Sequence, residues 1–220
     1  MFAGCSKLIN APDLLATEIP PGAYYYMFSN CTKLESPAKT PDNYKLLSVN
    51  ELDSEKAYNM SYMYSKCSSL KTTPTFPNTK LTHSCYRAMF NECSSLEIVP
   101  ELPATTLAKD CYYGLFQKCS NIDIITDNYT LPALHVPFEG YYSMFNGCTE
   151  LSKTPVISAE TIDDRSLSYL FRDCKSLTQI PELKATKIGE NGYKRLLAGC
   201  TGLSGTITLP ATEIATDGYN

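Results

Sequence analysis

Ten cysteines and two histidines are the residues in this 220-residue chain best suited to chemistry. A thiolate can attack an electrophile, ligate a soft metal or pair in a disulfide. Eight of the ten, Cys5, Cys31, Cys67, Cys93, Cys119, Cys148, Cys174 and Cys200, recur at intervals of 26, 36, 26, 26, 29, 26 and 26 residues. There is no Cys-x-x-Cys pair, and only His83 and His135 could add nitrogen ligands, so zinc is a poor fit. The chain is also far larger than the small secreted scaffolds that disulfides staple. An interval repeated this regularly marks an array of small structural units. The cysteines are therefore expected as buried, reduced, small apolar side chains, with disulfide pairing the lesser alternative. The surplus Cys85 and Cys111 both stand eight places before a timing cysteine, in adjacent repeats. They are expected as free thiols, because a bridge needs Cα atoms within about 7 Å. No cofactor and no metal are expected.

The elements that position these thiols follow from the columns around them. With each timing cysteine as zero, offset −4 holds Met1, Met27, Met63, Met89, Leu115, Met144, Leu170 and Leu196. Offset −3 holds Phe2, Phe28, Tyr64, Phe90, Phe116, Phe145, Phe171 and Leu197, and −7 holds Tyr24, Met60, Tyr86, Tyr112, Tyr141, Leu167 and Tyr193. Apolar residues at −7, −4, −3 and 0 form one stripe of an α-helix, so the spacing predicts a helix of two to three turns ending at each cysteine. A leucine or isoleucine at +3 then opens a short strand, as in Leu96-Glu97-Ile98-Val99, closed by Pro100. A Leu-Pro-Ala-Thr signature follows, intact at Leu102-Pro103-Ala104-Thr105 and Leu209-Pro210-Ala211-Thr212. Stacking predicts a threonine ladder (Thr17, Thr79, Thr105, Thr186, Thr212) whose hydroxyls bond along the array. Strands stack at about 4.8 Å and helices at about 8–10 Å, so the helical side is expected to be the wider one.

Tyr86-Arg87-Ala88-Met89-Phe90-Asn91-Glu92-Cys93-Ser94-Ser95-Leu96 and Tyr112-Tyr113-Gly114-Leu115-Phe116-Gln117-Lys118-Cys119-Ser120 carry a resemblance across the whole chain. The unit resembles the leucine-rich repeats of bacterial surface proteins of the BspA type. The fold expected is α/β: one leucine-rich-repeat-like right-handed solenoid over residues 1–220. It would hold about eight repeats, each with one short helix and one short parallel strand. The resemblance implies a bacterial, cell-surface or secreted protein, non-enzymatic, acting in adhesion and protein binding, and it carries over no catalytic residues. The chain opens and closes within a repeat and reads as a piece of a longer surface protein, with signal and anchor elsewhere.

Composition narrows the partner. A hydrophobic content of 43% suffices for a continuous core, and a net charge of −4 disfavours nucleic acid as a partner. No run of 18 apolar residues encodes a membrane span. The expected partner is an extracellular protein or a glycan; a stalk carrying other domains is the third reading. Outward offsets −6 and −5 hold Tyr25, Tyr26, Tyr62, Tyr113, Tyr142 and Tyr169, a candidate binding strip whose bland alternative is a seal between turns. The two long intervals imply extra residues around Asn43-Tyr44 to Glu55 and around Ile125 to Tyr129. Tyr44, Asn128 and Tyr129 are the candidate contacts there, since insertions in repeat arrays often receive partners. Finally, Cys119→Ser is expected to bury an unpaired hydroxyl at about 1–3 kcal/mol, with Cys119→Ala costing less.

Overall fold

The computed structural model describes residues 1–49, 57–124, 126 and 128–220. Among them there is no helix. The segments expected to be helical are runs of consecutive turns with a backbone period of four. Positive φ recurs at offsets −9, −5 and −1, for example Ser84 (58°), Ala88 (48°) and Glu92 (63°), then Asp110 (56°), Gly114 (57°) and Lys118 (60°). Each such residue reverses the chain, which an α-helix of L-residues cannot do repeatedly.

The hydrogen bonds show why the turns form. Alternate N–H groups close a turn three residues back, as Met89 N to Tyr86 O (3.2 Å), Asn91 N to Ala88 O (3.2 Å) and Cys93 N to Phe90 O (3.0 Å). The intervening N–H groups point along the stack. Ser84, Tyr86, Ala88, Phe90 and Glu92 donate to the carbonyls of Lys109, Cys111, Tyr113, Leu115 and Gln117 at 2.7–3.1 Å. A helix would spend nearly every N–H on itself, whereas these runs spend half of them on the next repeat. At about 1 kcal/mol net per bond, five bonds tie each such pair of neighbours.

Side chains stack with the backbone. The rings of Phe2, Phe28, Tyr64, Phe90, Phe116, Phe145 and Phe171 lie nearly parallel with centroids 5.4–5.9 Å apart. That spacing is well short of helix packing, so the turn side is not widened as a layer of helices would be. The inward columns are −8, −7, −4, −3 and 0. At −8 stand the buried Asn59, Cys85, Cys111 and Ser166. Period four and period 3.6 select almost the same stripe over eight residues, so the apolar pattern fits both.

Among the described residues there are eight strands of two residues each: β1 (Glu18–Ile19), β2 (Lys45–Leu46), β3 (Thr130–Leu131), β4 (His135–Val136), β5 (Val156–Ile157), β6 (Thr161–Ile162), β7 (Lys187–Ile188) and β8 (Glu213–Ile214). β1 pairs with β2, β3 with β5, and β4-β6-β7-β8 form one sheet. All pairs are parallel, and Val136, Ile162, Ile188 and Ile214 fall in register. β1, β7 and β8 directly follow the threonine of the Leu-Pro-Ala-Thr segment (Thr17, Thr186 and Thr212). The strand expected at Leu96–Val99 is reduced to a single bridge, Ile98 to Asp123. The threonine column bonds through its backbone, Thr105 N to Thr79 O and Thr212 N to Thr186 O, both 3.0 Å. Among the described residues no two of its hydroxyls pair; Thr186 Oγ1 reaches the Glu160 carbonyl at 3.5 Å.

The chain is therefore not the expected α/β leucine-rich-repeat-like right-handed solenoid, and the terms leucine-rich repeat and solenoid do not describe it. The apolar stripe is there, but its backbone closes three-residue turns and bonds across repeats. Among the described residues, no helix is long and apolar enough to cross a membrane.

Candidate functional site

All ten cysteines are free. The buried Cys31, Cys67, Cys93, Cys119, Cys148 and Cys174, and the half-buried Cys200, each donate Sγ–H to the −3 carbonyl of the preceding repeat. The seven bonds, such as Cys119 Sγ to Phe90 O at 3.0 Å, measure 2.9–3.1 Å. Cys5, in the first repeat, is exposed. Burial pushes the buried thiols up, Cys67 and Cys85 to about 12, so at neutral pH those are S–H donors and not nucleophiles. Among the described residues no group of three or more His, Cys, Asp or Glu side chains is placed to hold a metal.

The outward face of the turn runs carries the other chemistry. Tyr25 (44% exposed) and Tyr26 (39%) meet edge to face at 4.5 Å, and Tyr25 also touches Tyr58 at 5.3 Å. Tyr26 stacks on Tyr62 at 4.6 Å with planes 11° apart. Tyr113 stacks on Tyr142 with the same separation and angle, and Tyr142 meets Tyr169 at 5.4 Å. The repeat between Tyr62 and Tyr113 has no tyrosine at these offsets; Arg87 stands there. Its guanidinium lies 3.6 Å from the centre of the Tyr113 ring, and its Nε donates to the Tyr62 hydroxyl at 3.4 Å. The six predicted tyrosines are thus brought into one continuous strip, with Arg87 as the bridge.

Charges beneath the strip hold Arg87 in place. Its Nη1 is 3.2 Å from Asp110 Oδ2, which also receives Ser84 Oγ at 3.4 Å and lies 3.6 Å from His83 Nε2. Asp110 is buried. Glu139, one repeat on, binds Arg165 at 2.8 Å. Burial, then the nearby Asp110 charge, raise the Glu139 carboxyl above the usual range, against the lowering effect of Arg165 and Arg87. Burial likewise raises the Tyr113 and Tyr142 hydroxyls, so these two phenols are neutral at ordinary pH. Arg172 extends the face, with its guanidinium 5.8 Å from the centre of the Tyr169 ring.

The insertion residues are placed differently. Tyr44 and Tyr129 lie in the core and not at loop tips. Tyr44 shares a 2.8 Å hydrogen bond with the Tyr86 hydroxyl, and Tyr129 donates to the Pro100 carbonyl at 2.7 Å. A tyrosine in an inserted segment still carries a large apolar ring, and here that ring fills the gap the longer repeat opens. Asn128 is exposed at φ 62°. Asn43 lines an open cleft of about 1150 Å³ together with Lys45, Lys80 and Lys109. Of the two insertions, residues 50–55, Ile125 and Asp127 lie outside the described residues.

The sequence reading missed Arg87, Arg165, Arg172 and Tyr58. The signal was available: all stand at −6, −9 or −2, offsets that face outward beside the tyrosines. No protein-family model, curated protein or solved structure matches the chain.

Proposed function

We propose that the chain is a non-enzymatic binding module that holds a protein partner along the tyrosine–arginine strip, in adhesive contacts at a bacterial surface. The surface location rests on the resemblance of the Tyr-x-x-Met-Phe-x-x-Cys unit, and the partner class on the strip. One observation carries the choice of protein over sugar. The rings of Tyr26 and Tyr62, and of Tyr113 and Tyr142, already cover each other face to face at 4.6 Å. A sugar platform needs a free ring face, whereas hydroxyls and ring edges suit a protein surface. Tyrosine and arginine are the residues that dominate protein interfaces when truncated.

The test is capture of purified host matrix proteins, run beside a glycan array, with the wild-type chain and a Tyr25→Ala/Tyr142→Ala/Tyr169→Ala variant. These rings leave the Arg87–Tyr113 contact intact, and circular dichroism checks the fold. The expected result is a protein ligand whose affinity falls by at least about 2 kcal/mol in the variant. Binding that ignores the three tyrosines, or binding to glycans alone, would refute the proposal.

A further inference from the structure

The chain has four arginines, Arg87, Arg165, Arg172 and Arg195, beside fifteen lysines. Lysines are spread over both sides of the repeat; Lys39, Lys45, Lys80 and Lys187 belong to the strand side. Every arginine stands on the turn face, at offsets −6, −9, −2 and −5, among the tyrosines. Their environments form a gradient. Arg87 is enclosed by Asp110, Tyr62 and Tyr113. Arg165 and Arg172 are 51% and 42% exposed, paired with Glu139 at 2.8 Å and Asp173 at 3.2 Å. Arg195 is exposed, and among the described residues its guanidinium has no ion pair. It follows Tyr169 directly in the same column, the Tyr169 N–H bonding Lys194 O at 2.8 Å. One end of the strip (Tyr25, Tyr26, Tyr58, Tyr62) is neutral and aromatic, and the other is cationic.

We infer that the strip binds an extended acidic polypeptide segment, its apolar part on the Tyr25–Tyr62 end and its carboxylates over Arg165, Arg172 and Arg195. The inference rests on the protein-binding reading above and names the chemistry of the partner. A guanidinium fork matches one carboxylate with two parallel hydrogen bonds, which a lysine ammonium does not. Arginines interspersed with tyrosines therefore suit a chain with separated carboxylates. A dense sulfated polysaccharide fits less well, because Glu92, Asp110, Glu139 and Asp173 are interspersed with the cations on this face and would meet a continuous run of sulfates. Length agrees with a peptide. Six repeat steps at the 5.6 Å spacing of Tyr64 and Phe90 span roughly 34 Å, about ten residues of extended chain.

The experiment is fluorescence anisotropy with the whole chain. The probe is a labelled peptide of about twelve residues, opening Phe-Pro-Phe-Pro and continuing as alternating Glu and Ser. A version with Gln for every Glu is the neutral control, and heparin is a competitor. The acidic probe should bind at least about tenfold tighter than the neutral one at low salt, and the preference should fade as salt rises. Arg165→Gln/Arg172→Gln/Arg195→Gln should erase that preference and leave the circular dichroism unchanged. The tyrosine variant should weaken both peptides. Equal binding of the two peptides, indifference to the arginine variant, or heparin binding tighter than the acidic peptide each overturns the inference. The two readings fail separately. Protein binding that needs the tyrosines and ignores the arginines leaves the binding module standing and removes the acidic partner. Binding that ignores both removes both.

Discussion

Raising the pH should unfold this protein over a narrow range, because its core is lined with thiols. Cys31, Cys67, Cys85, Cys93, Cys111, Cys119, Cys148 and Cys174 are all buried. Loss of hydration raises each of them, since a thiolate is poorly solvated there. In the unfolded chain a thiol titrates near about 8.5. Between that value and the folded one, for example about 12 in Cys67 and Cys85, the folded state holds more protons than the unfolded state. Stability is then complete below the unfolded value and falls as pH rises. One unit above it each of the seven thiols raised furthest (Cys67, Cys85, Cys93, Cys111, Cys119, Cys148 and Cys174) has cost about 1.4 kcal/mol, and together about 10 kcal/mol, comparable with the whole stability of a domain. Near-ultraviolet circular dichroism and thiolate absorbance, followed together under reducing conditions, should show cooperative unfolding before about pH 10, with about seven thiol protons released in the transition. A native signal that persists past about pH 11, or a release of only one or two protons, would show that the thiols are not the buried donors described here.

Four further outcomes follow from particular contacts. Because Phe90 O lies 3.0 Å from Cys119 Sγ, a serine hydroxyl at that position has an acceptor waiting; Cys119→Ser and Cys119→Ala should cost within about 1 kcal/mol of each other in urea denaturation. This replaces the expectation of a larger penalty for serine. Lys118, exposed at φ 60° with only a surface pair to Glu92 at 3.5 Å, should gain up to about 1 kcal/mol on Lys118→Gly. Gly147→Ala should lose stability, since φ is +78° and a Cβ would meet Lys118 Cγ at 3.3 Å. Arg87→Gln should cost about 3 kcal/mol in the same assay by leaving the buried Asp110 carboxylate without its cation, and Arg87→Lys should restore only part of it.

Which side chains face the core was largely legible in the columns: Phe90, Tyr64, Phe116 and the cysteines below them are buried. Which backbone carries them was not, because a period of four and a period of 3.6 diverge by only about 40° over one step. The glycines and asparagines at −1 and −5 (Gly4, Asn30, Gly114, Gly147, Gly199) were the warning, since all five adopt positive φ. The tyrosine strip was legible residue by residue, but its continuity depends on Arg87, whose place between Tyr62 and Tyr113 is a contact across three repeats.

Spacing alone determined the repeat, the inward columns and the outward position of the tyrosines, because chemically equivalent residues must recur wherever identical units stack. Only the tertiary structure decided that half of the turn N–H groups bond to the next repeat, that Tyr44 and Tyr129 fill the core, and that each thiol meets a carbonyl. Those choices depend on what a neighbouring repeat offers at hydrogen-bond distance, and no single unit contains that information.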